Sequence, residues 1–295
     1  IQTITDKFDA LQKQVVAKTS VELTINGADG KRAVRNAETN LGDLCADAYR
    51  ILLGADIAFV NGGGVRDNIK VGDITYGDII KVHPFGNEAC LVEVTGQQIK
   101  DALELGSAAY PGESGGFLQV SGLTYTINAD IPSSVVKNDK SEFVKVDGAY
   151  RVSDIMVGGQ PLDVNKTYTL ASHNYMLKSG GDGINMFQDN KLLQDEVKID
   201  NQVLIDYIVD SLGGNVGEQY KNLAGEGRIT VVNETKPALK DNEYALSTEL
   251  PDGAKVVFVN RSVSKAMSAA NSEGSDYNRA GVDVTPVDGI LTTDN

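Results

Sequence analysis

A four-residue apolar run, Ile57–Val60, passes directly into Asn61-Gly62-Gly63-Gly64-Val65-Arg66. The run reads as a short buried strand. Three glycines at its end mean that the backbone must there bend sharply or approach something closely. Backbone N–H groups freed by the glycines, a carboxamide and a fork-shaped guanidinium then lie together at one strand end. Such a grouping suits an anion or a polar heterocycle. On this segment alone, a tight glycine turn followed by a surface arginine is an equal alternative.

Around that point the periodicities alternate between helix and strand. Ile4, Phe8, Leu11 and Val15 form a helical stripe over Ile4–Val16. A strand is expected at Val21–Ile25, closed by the turn-forming run Asn26-Gly27-Ala28-Asp29-Gly30. Asn40 can cap a helix to Leu53 that buries Leu44, Ala48, Ile51 and Leu52. Ala89–Val94 alternates as a strand, and Thr95 with Gln98 resembles a capping box for a helix to Leu105. Phe117–Ile127, Arg151–Val157, Thr167–Ala171 and Arg228–Val232 read as strands, and Asn201–Leu212 as a helix. Without regular βαβ alternation, the predicted class is α+β: mixed β-sheets flanked by helices. Asn233–Pro237 reads as a linker, Ala254–Val259 as a strand, and Ser268–Gly281 is rich in small residues. The tail is either a small appendage or the start of another module.

Charge and residue usage exclude several functions. The 295 residues carry 27 Lys+Arg against 41 Asp+Glu, a net charge of −14. Such a surface repels polyphosphate, so a general nucleic-acid binder is not expected and any bound anion needs local cations. The apolar stretch Ile51–Val60 is broken by Gly54 and Asp56, too short for a membrane span. Ile1-Gln2-Thr3-Ile4 carries no signal-peptide pattern and reads as the interior of a longer polypeptide. Cys45 and Cys90 can pair once or sit as small buried residues, and burial is the favoured reading. His83 and His173 have no metal-ligand spacing, and neither Gly-x-Ser-x-Gly nor a Walker loop occurs. No catalytic or metal-ligating set is therefore expected in this chain.

Two further segments have binding potential. His83-Pro84-Phe85-Gly86-Asn87 places an aromatic in a loop, as a plug over the core (the favoured reading of the segment alone) or as a stacking platform. Asn174-Tyr175 followed by Ser179-Gly180-Gly181-Asp182-Gly183 repeats aromatic, glycine loop and carboxylate, although Asp in such loops is more often a turn former. Lys31 and Arg32 read as a solvated turn, and both histidines as loop packing.

Glu38-Thr39-Asn40-Leu41-Gly42-Asp43-Leu44, Asn61–Arg66, Pro84–Asn87 and Gly180–Gly183, in this order, closely resemble the C-terminal, substrate-binding domain of the 5'-nucleotidase family. The resemblance spans Ile4–Val232. It implies the end of an interdomain linker helix at 1–18, a nucleotide-binding domain at 19–232, and a linker and appendage at 233–295. Phe85 and Tyr175 would sandwich the base, the family's usual second ring being Phe. Asp182 would hold the ribose hydroxyls, Arg35 and Arg66 the ribose and phosphate side, with Asn61 beside them. Asn87 would neighbour the base, and Gly62, Gly63 and Gly64 would let the backbone pass close to the ligand. The resemblance implies a parent that hydrolyses nucleoside phosphates, with two divalent metal ions in an N-terminal metallophosphoesterase domain outside this chain. It also implies an extracytoplasmic location: periplasmic, secreted or wall-attached. A UDP-sugar hydrolase, a cyclic-nucleotide phosphodiesterase, a sulfur-ester hydrolase or a non-catalytic nucleoside-binding module are the alternatives.

Overall fold

The computed structural model describes residues 9–233 and two strand segments, Tyr244–Glu249 and Lys255–Asn260. The chain divides into two units, Ile1–Asn233 and Glu234–Asn295. In the second, the two segments pair as an antiparallel hairpin, Tyr244 opposite Asn260 and Glu249 opposite Lys255. The strand expected at Ala254–Val259 thus lies one residue later. Ser268–Gly281 and nearly all of the expected linker lie outside the described residues.

In the first unit the early strands are β1 (Val15–Thr19), β2 (Ile57–Asn61), β3 (Gly72–Thr75), β4 (Ala89–Thr95), β5 (Leu118–Ser121), β6 (Leu123–Asn128) and β7 (Val135–Lys137). The later ones are β8 (Phe143–Val146), β9 (Val152–Val157), β10 (Gln160–Pro161), β11 (Thr167–His173), β12 (Leu192–Gln194), β13 (Asn215–Val216) and β14 (Ile229–Val232). The helices are α1 (Asn40–Leu53), α2 (Tyr76–Val82), α3 (Gly96–Ser107), α4 (Asn174–Leu177) and α5 (Asp200–Asp206). The central sheet has the order β12-β4-β11-β2-β5, with β2 parallel to β11 and the other neighbours antiparallel. Smaller sheets run β10-β9-β6-β14 and β13-β1-β3. These are the mixed sheets with flanking helices that the sequence predicts.

Every residue of β2 is buried because both faces of the sheet are covered. Ala58 and Val60 join Leu41, Leu44 and Ala48 of α1 in one core. Ile57 and Phe59 join Ile99, Ala102 and Leu103 of α3 in the other. Full burial of a Leu or Ile contributes about 1.5–3 kcal/mol, a helix cap about 1 kcal/mol. The two cores, rather than the caps, therefore hold α1 and α3 on the sheet. Cys45 and Cys90 are both free and buried.

Several expectations are corrected. The helix expected over Ile4–Val16 is described only at residues 9–12, and Val15–Thr19 is a strand. Val15 and Val16 fit a helical stripe, but β-branched residues also suit a ladder, and β1 pairs with both β3 and β13. Val21–Ile25 forms only isolated bridges, such as Leu23 to Ile69. Thr39, not Asn40, caps α1 by accepting the Gly42 N–H. The Asn40 side chain instead donates to the Glu22 and Tyr220 carbonyls and accepts from Thr24 N–H. Ile51 faces solvent at 43% exposure. The stretch Phe117–Ile127 is broken at Gly122 into β5 and β6. The helix expected over Asn201–Leu212 is α-helical to Asp206 and then widens into a π turn, Tyr207–Ser211.

Candidate functional site

Topology gathers the binding segments at one end of the central sheet. Parallel β2 and β11 both finish there, in Asn61 and His173. Antiparallel β4 and β5 start there, preceded by the Phe85–Asn87 loop and by Gly115–Phe117. Ligands characteristically bind beyond strand carboxyl ends in this way. A cavity of about 380 Å³ opens at this point, within the about 300–1,000 Å³ usual for small-molecule sites. Of the residues expected to bind, Arg35, Asn61, Gly63, Gly64, Phe85, Asn87, Tyr175 and Asp182 line it, and Arg66 and Gly62 do not. Gly115, which the sequence reading did not single out, lines it too.

The three glycines serve the protein's own packing before any ligand. A Cβ at Gly62 would lie 2.1 Å from the Val34 carbonyl oxygen, one at Gly63 3.0 Å from Gly115 Cα, and one at Gly64 2.7 Å from Asn61 Oδ1. Their N–H groups are not all free, contrary to expectation. Gly62 N–H donates to Phe117 O at 2.7 Å and Gly63 N–H to Gly115 O at 2.8 Å. The turn is thereby stitched to the 115–117 loop, and the Gly62 and Gly63 N–H groups are taken up by the protein itself.

Phe85 is 59% and Tyr175 39% exposed, large ring surfaces left in solvent at the cavity. Phe85 follows α2 in a short loop held from behind by α5. The buried Asp200 carboxylate accepts Asn87 N–H at 3.0 Å, while Asp200 N–H donates to Asn87 O at 2.7 Å. Burial raises the Asp200 carboxyl to about 6, against the backbone N–H groups that lower it. Tyr175, on α4, lies over Gly181 so closely that a Cβ there would be 2.3 Å from the ring. Its hydroxyl accepts Asp182 N–H at 3.2 Å and is 3.4 Å from Asp182 Oδ1. Asp182 Oδ2 accepts from Asn61 Nδ2 at 2.7 Å. Behind Asn61, its Oδ1 is 3.1 Å from Nε2 of the buried His173. His83, buried as well, sets Nδ1 3.3 Å from Gly64 O. The histidines pack as expected, but His173 also contacts the site, a role that lay outside any local sequence signal.

Positive charge collects at one side. Burial, then the nearby Arg32 and Arg66, push the Arg35 guanidinium below its usual range; an arginine remains a cation all the same. Arg35 Nε is buried without a hydrogen-bond partner. Arg66 is exposed, its Cζ 5.8 Å from the centre of the Phe85 ring. Arg32 is engaged by Glu113, and Lys31 lies in an exposed turn near Asp29. Among the described residues, no group of three or more His, Cys, Asp or Glu is placed to hold a metal ion. The two-metal centre that the family resemblance implies finds no ligand set here, and no reaction step is assigned to these side chains.

The family profile for the 5'-nucleotidase C-terminal domain matches residues 15–189. The chain is 32% identical over 237 residues to the trifunctional nucleotide phosphoesterase protein YfkN of Bacillus subtilis, covering 77% of this chain and 14% of that protein. It is 36% identical over 180 residues to the 5'-nucleotidase of Vibrio cholerae, covering 60% of this chain and 28% of that one. Among solved structures, the 5'-nucleotidase precursor from Thermus thermophilus superimposes with a TM-score of 0.61 at 31% identity, over 80% of this chain and 42% of that chain. The chain thus spans less than a third of the curated relatives' length. With the profile matching more than half of its residues, the chain belongs to the 5'-nucleotidase C-terminal domain family.

Proposed function

We propose that the first unit is the nucleotide-binding domain of a 5'-nucleotidase-type hydrolase that converts nucleoside phosphates to nucleoside and phosphate. In this reading Phe85 and Tyr175 stack on the base, Asp182 accepts from the ribose hydroxyls, and Asn87 neighbours the base. Asn61, Gly63 and Gly64 form the floor, while Arg35 and Arg66 offset phosphate charge. The supporting observation is that one cavity is lined by two solvent-exposed rings, a half-buried carboxylate and Arg35, whose buried Nε has no hydrogen-bond partner. Stacking contributes about 1–3 kcal/mol per base and tolerates any base, so broad base acceptance is expected.

Hydrolysis itself is assigned to an N-terminal metallophosphoesterase domain of the parent, carrying two divalent ions. The parent is placed outside the cytoplasm. UDP-sugar or cyclic-nucleotide hydrolysis by the parent keeps the same roles for this cavity; the ring pair and Asp182 favour a nucleoside over a sulfur ester.

Calorimetry with adenosine and AMP tests the reading. Phe85→Ala and Tyr175→Ala are each expected to weaken binding about tenfold or more, equivalent to about 1.4 kcal/mol. Arg35→Gln is expected to weaken AMP more than adenosine. Unchanged adenosine affinity in both ring variants would remove the basis of the proposal.

A further inference from the structure

Asn61 and His173 end neighbouring parallel strands, and their side chains meet beneath the cavity. Asn61 Nδ2 is 2.7 Å from Asp182 Oδ2, and Asn61 Oδ1 is 3.1 Å from His173 Nε2. A carboxylate only accepts hydrogen bonds, so the amide must present its NH₂ to Asp182. The amide oxygen then faces Nε2, which must carry the proton for the contact to be a hydrogen bond. The opposite amide orientation would set two acceptor oxygens against each other. Chemistry therefore decides an assignment that positions of heavy atoms alone leave open.

The imidazole is held for this purpose. His173 is 3% exposed, with Tyr49 edge-on to its ring, centroids 6.1 Å apart. Nδ1 is buried without a partner, tolerable for a lone pair and more costly for a stranded N–H. The groups facing the ring are His83, Tyr49 and Tyr175, together with Asp182 through Asn61. Burial, reinforced by His83, lowers the His173 pKa to about 3, so the ring stays neutral with one N–H. The glycine at 64 belongs to the same device, since a Cβ there would press on Asn61 Oδ1.

We propose that His173 is a positioning residue: its Nε2–H fixes the Asn61 carboxamide, which holds one oxygen of Asp182 and so aims the carboxylate at the vicinal hydroxyls of a ribose. This rests on the nucleoside reading above. His173 contacts no ligand; it acts through two side chains.

The test uses the full 295-residue chain and compares adenosine with 2',3'-dideoxyadenosine by calorimetry. His173→Phe keeps a ring against Tyr49 but has no donor. It is expected to weaken adenosine about tenfold and to leave the dideoxynucleoside unchanged. His173→Gln, with an amide N–H near the Nε2 position, is expected to restore adenosine binding. In an Asp182→Asn background His173→Phe should cost nothing further. If Asp182→Asn weakens adenosine while His173→Phe does not, the positioning role fails and the nucleoside reading stands. If Asp182→Asn has no effect, or the unaltered chain binds no adenosine, both fail. Equal loss of both ligands in His173→Phe also overturns the positioning role. Nitrogen-15 NMR of the unaltered protein decides the matter even if a variant does not fold: the Nε2–H tautomer is expected at pH 6, and the Nδ1–H tautomer rejects the proposal.

Discussion

Asp182 lies at φ 56°, ψ 18°, a left-handed conformation that Asp tolerates better than most residues but that still carries a cost. Tyr175 offsets part of it, because its hydroxyl accepts the Asp182 N–H. Tyr175→Phe keeps the ring and removes that acceptor. Urea denaturation should show a loss of about 1 kcal/mol, while adenosine affinity should fall much less than in Tyr175→Ala. A hydroxyl that proved neutral in both measurements would leave Asp182 held by Asn61 alone. The glycine turn gives a sharper contrast of size. At Gly62 the obstacle to a Cβ is backbone, the Val34 carbonyl; at Gly64 it is the end of the Asn61 side chain. Gly62→Ala is therefore expected to cost more than about 3 kcal/mol or to prevent folding. Gly64→Ala should cost less stability but displace Asn61 and weaken adenosine. The reverse order of stabilities would mean that the Val34–Arg35 backbone yields more easily than its close packing on Gly62 indicates.

At the scale of elements, α1 and the start of β14 are joined through Arg228, which pairs with Asp47 and, at 3.6 Å, with Asp43. Arg228 Nη1 and Nη2 donate to the two oxygens of Asp47 at 2.8 Å each, and Nη1 also reaches Val120 O on β5 at 2.8 Å. Asp47→Ala would strip a largely buried guanidinium of its bidentate partner and leave it the Val120 carbonyl and Asp43, 3.6 Å from Nε; a loss of up to about 3–5 kcal/mol is expected, with loosening of the edge strand that pairs with β6. Amide exchange should show β14 opening before β6; equal protection of both would contradict the link. Such pairs also mark the limit of what sequence conveys. β2 and the Thr95–Gln98 capping box were legible because their signals are local: an apolar run, and two side chains three residues apart that bond as expected. β1 was not, because Val15 and Val16 fit either period and the choice is made by partners at 72–75 and 215–216. The segments alone favoured Phe85 as a plug and Asp182 as a turn former, and the rings, acid and arginines of the candidate site were named through the family resemblance. His173 and Gly115 were not, because they meet the site only through strand pairing, His173 contacting Asn61 across 112 positions of chain.

At the scale of the whole molecule, buried ionisable groups set how stability responds to pH. Burial, with Glu38 reinforcing and Arg228 opposing, raises the Asp43 carboxyl to about 9, and in its acid form it donates to Glu38. In the unfolded chain the same group ionises near 4. A raised folded pKa gives stability that is complete below the unfolded value and is lost as pH rises through the folded one. From about pH 7 to 9 the folded protein therefore holds a proton that the unfolded chain has released. Stability should fall by up to about 1.4 kcal/mol per pH unit. His83 and His173, lowered by burial to about 4 and about 3, act in the opposite sense. Their contribution is present above about 6.5 and is lost as pH falls toward the folded values. Asp200, raised to about 6, offsets part of that loss. The sum is a maximum near pH 6 with the steeper decline on the alkaline side. Asp43→Asn mimics the acid form, since its amide can donate to Glu38 and still accept Glu226 N–H, a bond of 3.0 Å in the parent. Urea titrations at pH 7, 8 and 9 should show the alkaline slope in the unaltered chain and a much flatter one in the variant. A flat response in the unaltered chain would show that Asp43 is ionised in the fold, with Arg228 outweighing burial.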